Sequence, residues 1–330
     1  MTTPFTAVRS HVLASKPTHV LVACSGGGDS LALAWLAAQV LPDNSTKVSA
    51  AAVNHGLQAD ADAVAAEAMR MCESFGISHT RVLPVTVKPT GEGVEAAARR
   101  VRRAALIAHA ESIGADEIWL GHTLDDQAET VLIGLTHGSG ARSLAGMAMV
   151  EGIWVRPLLH CRRTDVHAVL PPDVQPWRDP HNHDPRFLRA RVRHELLPVI
   201  TDVLGDRAVV SLARSAELLA RDNEALDEIA HDVWDSAVRR TNASVELDIK
   251  LCAGLAPAVL TRVLRAACLA AGVIARDLTM SHLDSLGRLV HDKAIRGPIA
   301  LPGRVAAHRE HERLVLLPQS PSSTEVDVES

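Results

Sequence analysis

Short apolar runs alternate with longer amphipathic stretches over the first 140 residues. Four of these runs predict buried strands: HVLVAC at 19–24, KVSAAAVN at 47–54, HTRVLPVTV at 79–87 and ADEIWLG at 115–121. The amphipathic stretches predict helices at 30–40, 60–75, 94–114 and 124–138. Strands that alternate with helices of this length are typical of a parallel sheet that is covered on both faces. The pattern therefore predicts a doubly wound α/β domain.

The pattern changes after about residue 140, where a second part of the chain begins. The stretch 156–173 predicts a short strand and a helix, and the Pro/Asn/Asp-rich stretch 175–187 predicts a loop. Further on, a long helical stretch precedes a unit with two helices and a β-like end, and the chain finishes in a Ser/Pro/acid-rich tail. We therefore expect four parts: a main domain at 1–205, a helical linker at 206–240, a smaller α+β domain at 241–318 and a disordered tail at 319–330.

The composition is that of an ordinary globular protein, since 47% of the 330 residues are apolar and 22% are charged. No apolar run reaches the roughly 18–20 residues that a membrane-spanning helix needs. No apolar segment follows a basic start at the N-terminus, which excludes a secretory signal. The five cysteines form no CxxC pair, which argues against a zinc ribbon or an iron–sulfur cluster. We expect a cytoplasmic protein with buried, reduced thiols and no membrane partner.

The distribution of charge is more informative than its sum. The formal net charge of −5 does not by itself indicate a nucleic-acid partner. However, eight arginines form two short clusters: Arg99, Arg100, Arg102 and Arg103, then Arg186, Arg189, Arg191 and Arg193. Local basic clusters on an acidic protein can bind phosphate groups.

The six-residue stretch SGGGDS at 25–30 lies between the first predicted strand and its helix. Ligands bind open parallel sheets at such junctions, and helix N-termini favour anions there. No GK[ST] follows the glycines, and the second strand ends in Asn54-His55 rather than an acid, so neither a Walker A loop nor an NAD site is indicated. We interpret the stretch as a phosphate cradle; the alternative is a tight turn whose polar residues only cap the helix.

Several motifs resemble those of one enzyme family. SGGxDS after a first strand resembles the PP-loop of the N-type ATP pyrophosphatases. Four stretches resemble motifs of the tRNA(Ile)-lysidine synthetases: 53–57, 95–103, 121–147 and 177–198. The stretch 95–103 reads EAAARRVRR, and the stretch 121–147 begins with GHTLDDQAET. The resemblance covers roughly residues 18–200, and LPG at 301–303 is similar to part of the family's first C-terminal domain.

The resemblance implies a specific reaction and its substrates. The C2 oxygen of the wobble cytidine in an isoleucine tRNA with a CAU anticodon attacks the α-phosphate of ATP, and the ε-amine of L-lysine then displaces AMP. It also implies Mg²⁺ as a cofactor and a tRNA-binding role for the C-terminal domain. A homodimer is left open.

The same resemblance implies roles for individual residues. Backbone N–H groups would hold the diphosphate along Ser25, Gly26, Gly27, Gly28, Asp29 and Ser30. Mg²⁺ would lie beside Asp29 and Asp125. Catalysis would involve Asp29, Arg102, His122 and Asp126. Lysine and tRNA would contact Asp126, Glu129, Arg99, Arg189, Arg191 and Arg193.

Each assignment has a structural alternative. Asp126 and Glu129 share a helix face, but acids in a first turn also complement the helix dipole. His122 would contact the adenylated intermediate or simply end its strand. Arg99 would stabilise phosphate charge or form a surface pair with Glu95. The second arginine cluster would bind tRNA or lysine, or lie on a solvated helix.

Two other functions remain as alternatives. A PP-loop tRNA sulfurtransferase would share the glycine loop, but such enzymes commonly carry catalytic cysteines or a CxxC pair, which this sequence does not provide. A non-catalytic nucleotide-binding module would share the fold without needing the DDQAET carboxylates or the arginine-rich second half.

Overall fold

The computed structural model describes residues 2–56, 60–87, 94–136, 140–177, 179, 184–241 and 243–319, except for the side chains of residues 94 and 95. These residues form two compact units that divide after Ala220. The division falls inside one long helix, so the predicted boundaries at 205 and 240 remain predictions. Most of the predicted tail, at 320–330, lies outside the described residues.

The first unit contains a six-stranded sheet in the order β3-β2-β1-β4-β6-β5. Its strands are β1 (His19–Ala23), β2 (Lys47–Asn54), β3 (His79–Pro84), β4 (Glu117–Leu120), β5 (Val150–Glu151) and β6 (Trp154–Val155). All neighbouring pairs are parallel except β5 and β6, which form an antiparallel pair at one edge. The strand order reverses direction on either side of β1, which is the position where doubly wound sheets bind ligands.

Helices of the first unit cover both faces of this sheet. They are α1 (Pro4–Ser15), α2 (Gly28–Val40), α3 (Ala61–Ser74), α4 (Val94–Ile113), α5 (Leu124–Leu135), α6 (Ala141–Leu144), α7 (Arg163–His167), α8 (Leu188–Arg191) and α9 (Leu197–Leu204). Val20 and Val22 of β1 pack in one core cluster with α1, α2 and α3, whereas Leu21 packs in another with α4. Successive strand residues point to opposite faces, and both faces of β1 are apolar and buried. The predicted doubly wound α/β fold is confirmed.

The helix α10 (Arg207–Ala237) contains the division between the units. The second unit has an antiparallel sheet in the order β7-β8-β11-β10-β9, formed by β7 (Val238–Arg240), β8 (Val245–Asp248), β9 (Ile299–Leu301), β10 (Val305–Glu310) and β11 (Arg313–Pro318). Its helices are α11 (Ile249–Ala253), α12 (Pro257–Ala270) and α13 (Met280–His291). The predicted smaller α+β domain class is confirmed, although the sequence had indicated neither β7 and β8 nor the one-turn helix α11.

Other differences from the sequence prediction are local. The helix α1 was not predicted. A short strand was expected within 156–173, but the observed strand, β6, ends just before this stretch, at Val155. Strands of two residues are too short for apolar alternation to show. Among the described residues, no helix is both long enough and apolar enough to cross a bilayer.

Candidate active site

The glycine loop connects β1 to α2 at the carboxyl edge of the parallel sheet. Ser30 Oγ donates to the Gly27 carbonyl at 2.9 Å, and the Ser25 N–H donates to Ser30 Oγ at 3.2 Å. These bonds fold the loop back on itself. No side chain of a described residue caps α2. The N–H groups of its first turn are therefore available to a ligand, and the helix dipole favours an anion there.

The loop forms one wall of a cavity of about 950 Å³. The opposite walls come from the carboxyl ends of β2 and β4, from α4 and α5, and from α7. Of the residues expected to bind substrate or act in catalysis, the cavity is lined by Ser25, Gly27, Gly28, Asp29, Ser30, Arg102, His122, Asp126 and Arg193. Side chains that are far apart in the sequence therefore face one space, large enough for a nucleotide.

Asp126 both caps the start of α5 and pairs with two arginines. Its Oδ2 accepts hydrogen bonds from the N–H and the Oγ1 of Thr123, both at 2.8 Å, which closes a capping box. Its Oδ1 accepts from Arg163 Nη2 at 2.8 Å and from Arg193 Nη2 at 2.9 Å. Burial alone would raise the pKa of Asp126, but the charges of Arg163 and Arg193 and the Thr123 N–H hold it below its usual value. The carboxylate is ionised at neutral pH and serves both as cap and as ion-pair partner.

Glu129 lies one turn further along α5, and its side chain is 0% exposed. Its Oε1 accepts from Arg193 Nε at 2.7 Å and from Arg163 Nη1 at 3.2 Å, and its Oε2 accepts from Arg193 Nη2 at 2.9 Å. The sequence had suggested a cation at these two acids. In this structure, two guanidinium groups of the chain itself lie there.

Sequence reasoning missed Arg162, Arg163 and His167, which contact all four of the predicted acids. Arg163 Nε lies 3.4 Å from Asp29 Oδ2, so one guanidinium connects the glycine loop to the acids of α5. Arg162 pairs with Asp125, whose Oδ2 also accepts the Arg163 N–H at 2.7 Å. The signal in the sequence was the RRTDVH stretch, which places basic residues four apart on a short helix.

A π-helical turn, Val192–Leu196, lies between α8 and α9 and contains Arg193, whereas Arg189 and Arg191 lie in α8. Arg193 reaches both α5 acids, and Arg189 donates to Thr130 Oγ1 at 2.8 Å. Arg191 instead pairs with Glu195 at 3.1 Å, and both side chains are more than half exposed. Such turns are frequent at functional sites because they shift the side-chain register along a helix. Here Arg189 and Arg193 contact residues of α5, whereas Arg191 pairs within its own helix.

The side chains of Arg99 and Arg102 make fewer contacts than the arginines of the second cluster. Neither side chain makes a hydrogen bond or ion pair to any part of the chain that the structure describes, whereas Arg103 pairs with Glu151 and stacks on Trp154 at 4.4 Å. Desolvation and the positive charges of Arg99 and Arg103 lower the pKa of Arg102. These like charges are close enough to repel one another, and a bound anion would relieve that repulsion. The side chain of Glu95, the alternative partner of Arg99, lies outside the described residues.

His122 follows β4 and faces the same cavity. Its Nδ1 is buried and has no hydrogen-bond partner among the residues that the structure describes. Burial lowers the pKa of His122 to about 4, although the charge of Asp126 opposes this. The imidazole is therefore neutral at physiological pH, and its buried Nδ1 is unused within the described structure.

The lowered pKa of His122 predicts a specific dependence of stability on pH. An unfolded histidine takes up a proton near about pH 6.5, whereas folded His122 does so only at about 4. Between these values the unfolded state binds more protons, so the free energy of unfolding falls as the pH falls. The free energy of unfolding, measured with urea at about pH 7 and at about pH 5, should fall less between these values in His122→Gln than in the parent protein. The control is His160→Gln, since His160 is exposed. An equal fall in the free energy of unfolding of the parent, His122→Gln and His160→Gln would contradict the prediction.

Comparison with known proteins agrees with this geometry. A family profile described as a PP-loop domain matches residues 2–200. Among solved structures, the U34-tRNA thiolase NcsA from Methanococcus maripaludis superposes with a TM-score of 0.54, covering 66% of this chain and 78% of that chain. Its sequence identity to this chain is 20%, so the likeness shows a shared fold.

Curated relatives are much more similar in sequence. The tRNA(Ile)-lysidine synthase of Streptomyces coelicolor is 44% identical over 301 residues, which cover 90% of this chain and 84% of that protein. The tRNA(Ile)-lysidine synthase of Mycolicibacterium paratuberculosis is 44% identical over 289 residues, which cover 87% and 85% of the two chains. With a PP-loop domain in its first unit and this identity over most of its length, the chain belongs to the tRNA(Ile)-lysidine synthase family.

Proposed function

We propose that this protein joins L-lysine to C2 of the wobble cytidine in an isoleucine tRNA with a CAU anticodon, with ATP converted to AMP and diphosphate. The observation that carries the proposal is the position of two sites in one cavity. Backbone N–H groups without a side-chain cap lie at the start of α2, and a paired cluster of acids and arginines lies at the start of α5. Adenylation needs the first, and delivery of an amino acid needs the second.

Membership of the PP-loop domain family implies the use of ATP. We assign the diphosphate to the first-turn N–H groups of α2, because the leaving group carries the charge that these groups stabilise. Neutralisation of that diphosphate is the chemistry that Mg²⁺ supplies when it is bound. Asp29 fits a role in holding it, since magnesium often takes one or two carboxylates together with phosphate oxygens. Asp125 fits less well, because among the described residues Asp29 lines the cavity and Asp125 does not.

The acids and arginines around α5 match the chemistry of a free amino acid. Lysine carries two ammonium groups and one carboxylate, and this cluster presents both signs of charge within hydrogen-bond distance of one another. Ammonium groups would pair with Asp126 and Glu129, and the carboxylate would pair with a guanidinium. Binding then exchanges ion pairs within the site for ion pairs with the substrate. This exchange avoids leaving a buried charge without a partner.

The remaining cavity residues suit the RNA side of the reaction. Arg102, with Arg99 beside it, offers positive charge to a phosphate, and in our proposal this charge stabilises the adenylated cytidine as it forms. Neutral His122, which lines the same cavity, contacts that intermediate through its ring. The tRNA-binding role of the second unit and the homodimer remain predictions. A tRNA substrate agrees with the cytoplasmic location expected from the sequence.

The decisive experiment follows lysine into RNA. Purified protein is incubated with ATP, radiolabelled lysine and a transcript of isoleucine tRNA with a CAU anticodon. Label should enter acid-precipitable RNA, and it should be absent when ATP is omitted or when the wobble cytidine is replaced by uridine. Failure to incorporate label, or incorporation without ATP, would overturn the proposal.

The alternative of tRNA thiolation has little support from the cysteines. All five are buried, and Cys24, the one next to the loop, is 2% exposed. A hydrogen bond with Cys72 lowers the pKa of Cys24, but its burial leaves the sulfur inaccessible, and burial raises the pKa of Cys161 to about 11 and that of Cys268 to about 12. A catalytic sulfur carrier needs an accessible thiolate, so lysine transfer is the better assignment.

A further inference from the structure

The Arg163 side chain lies between the cavity and the more deeply buried of the two α5 acids. Its Nη2 donates to Asp126 Oδ1 at 2.8 Å, and both terminal nitrogens lie 3.2 Å from Glu129 Oε1. Of the residues that the structure describes, Arg163 and Asp126 line the cavity, whereas Glu129 does not. The Glu129 side chain is 0% exposed. An ammonium group in the cavity can therefore reach Glu129 only if a guanidinium moves aside.

Arg163 and Arg193 both pair with Glu129, but not equally closely. Arg193 contacts both carboxylate oxygens, with Nε 2.7 Å from Oε1 and Nη2 2.9 Å from Oε2. Arg163 contacts Oε1 alone, and both of its distances are 3.2 Å. Short contacts in the forked arrangement are the stronger form of this ion pair. Arg163 is therefore the guanidinium that a competing cation displaces more easily.

A second set of partners for Arg163 lies on the glycine loop. Arg163 Nε is 3.4 Å from Asp29 Oδ2, so the side chain already reaches the first turn of α2. The Arg163 backbone N–H donates to Asp125 Oδ2 at 2.7 Å, which holds the start of α7 in place. Rotation of the side chain alone can thus carry the guanidinium from the α5 acids to phosphate groups at the loop. Guanidinium groups bind phosphate as readily as carboxylate and remain cationic in both pairs.

We propose that Arg163 moves from Asp126 and Glu129 to the phosphates of ATP, and that an ammonium group of lysine takes its place at these acids. This inference rests on the proposed function, and the exchange makes or breaks no covalent bond. One cation replaces another, so the buried carboxylates keep their balance of charge. Lysine that binds alone would leave the displaced guanidinium with Asp29 as its described partner. Phosphate at the loop removes that cost, so ATP should favour lysine binding.

The test measures lysine binding by equilibrium dialysis, with Mg²⁺ in every sample and neither tRNA nor turnover. The probe is α,β-methylene-ATP, in which CH₂ replaces the bridging oxygen at the bond to be broken. Coupling between two sites commonly changes affinity by about 5- to 150-fold, so we expect the probe to lower the dissociation constant of lysine at least about fivefold. AMP, which lacks the two terminal phosphates, should change it little. Equal lysine affinity with the probe and with AMP would overturn the inference, even where labelled lysine enters tRNA in the transfer assay.

Two variants separate the exchange from general attraction between lysine and a bound anion. In Arg163→Met, lysine should bind tightly without the probe, and the probe should add little. The matched control is Arg162→Met: Arg162 is 22% exposed against 18% for Arg163, but it pairs with Asp125 rather than with the α5 acids beyond it. This control should keep the coupling of the parent protein. Coupling that persists in Arg163→Met, or that is lost in both variants, would contradict the exchange. If Arg163→Met does not fold, the comparison of the probe with AMP in the parent protein still decides.

Discussion

Replacing Glu129 with glutamine should lower the free energy of unfolding by about 3 kcal/mol and abolish lysine transfer. The Glu129 carboxylate is 0% exposed and accepts from both Arg163 and Arg193, whose side chains are 18% and 23% exposed. A glutamine of the same size leaves two largely buried cations short of one negative charge. It also turns an amide N–H₂ toward guanidinium donors, where no acceptor exists. Urea unfolding measures the first effect, and the lysine assay measures the second.

A matched control distinguishes this cluster from surface charge. Glu195 pairs with Arg191, and their side chains are 55% and 57% exposed, so Glu195→Gln should change stability by about 0.5 kcal/mol or less. If Glu129→Gln and Glu195→Gln were equally stable, the α5 cluster would be screened by solvent. The proposed exchange of ion pairs with lysine would then lose its physical basis.

The sequence was sufficient to predict the parts of the site that depend on local structure. An apolar run, three glycines and a helix start predicted the strand–loop–helix junction that the structure shows, because neighbouring residues form it; its role as an anion cradle remains a prediction. Asp126 and Glu129 were predicted to share a face because three residues make almost one helical turn. Both were also predicted to bind Mg²⁺ or lysine, which remains a prediction; the cations that contact them in this structure include Arg163 and Arg193.

The sequence could not show that guanidinium groups of the chain itself contact these acids. Arg163 is 34 residues from Glu129 and 134 from Asp29, so these contacts exist only because α7 packs beside α2. Short elements such as α7 and the strands β5 and β6 bury too few apolar residues to leave a periodic signal. Their placement depends on the tertiary fold, and so do the ion pairs that they carry.

Arg163 connects the two halves of the proposed reaction. It contacts Asp29 on the loop that we assign to ATP, and it contacts Asp126 and Glu129 on the helix that we assign to lysine. Burial alone would lower the pKa of Arg163, but these carboxylates raise it well above its usual value, so it remains a cation throughout. A substrate that forms an ion pair with one of these three carboxylates changes the electrostatic interaction of Arg163 with the other two. The site is therefore a single electrostatic unit.

Asp29→Ala tests the ATP half of this unit and should slow diphosphate release about a thousandfold while the fold remains intact. Asp29 lies in the first turn of α2, where its carboxylate contacts His167 and Arg163, and we propose that it holds Mg²⁺ beside the diphosphate. Its side chain is 25% exposed, so its removal leaves no buried cavity and should cost stability only about 1 kcal/mol or less. The exposed Asp43, changed to alanine, controls for loss of an acid near this helix. Diphosphate release from labelled ATP in the presence of tRNA is the measurement, and turnover near that of the Asp43→Ala control would exclude Asp29 from the reaction.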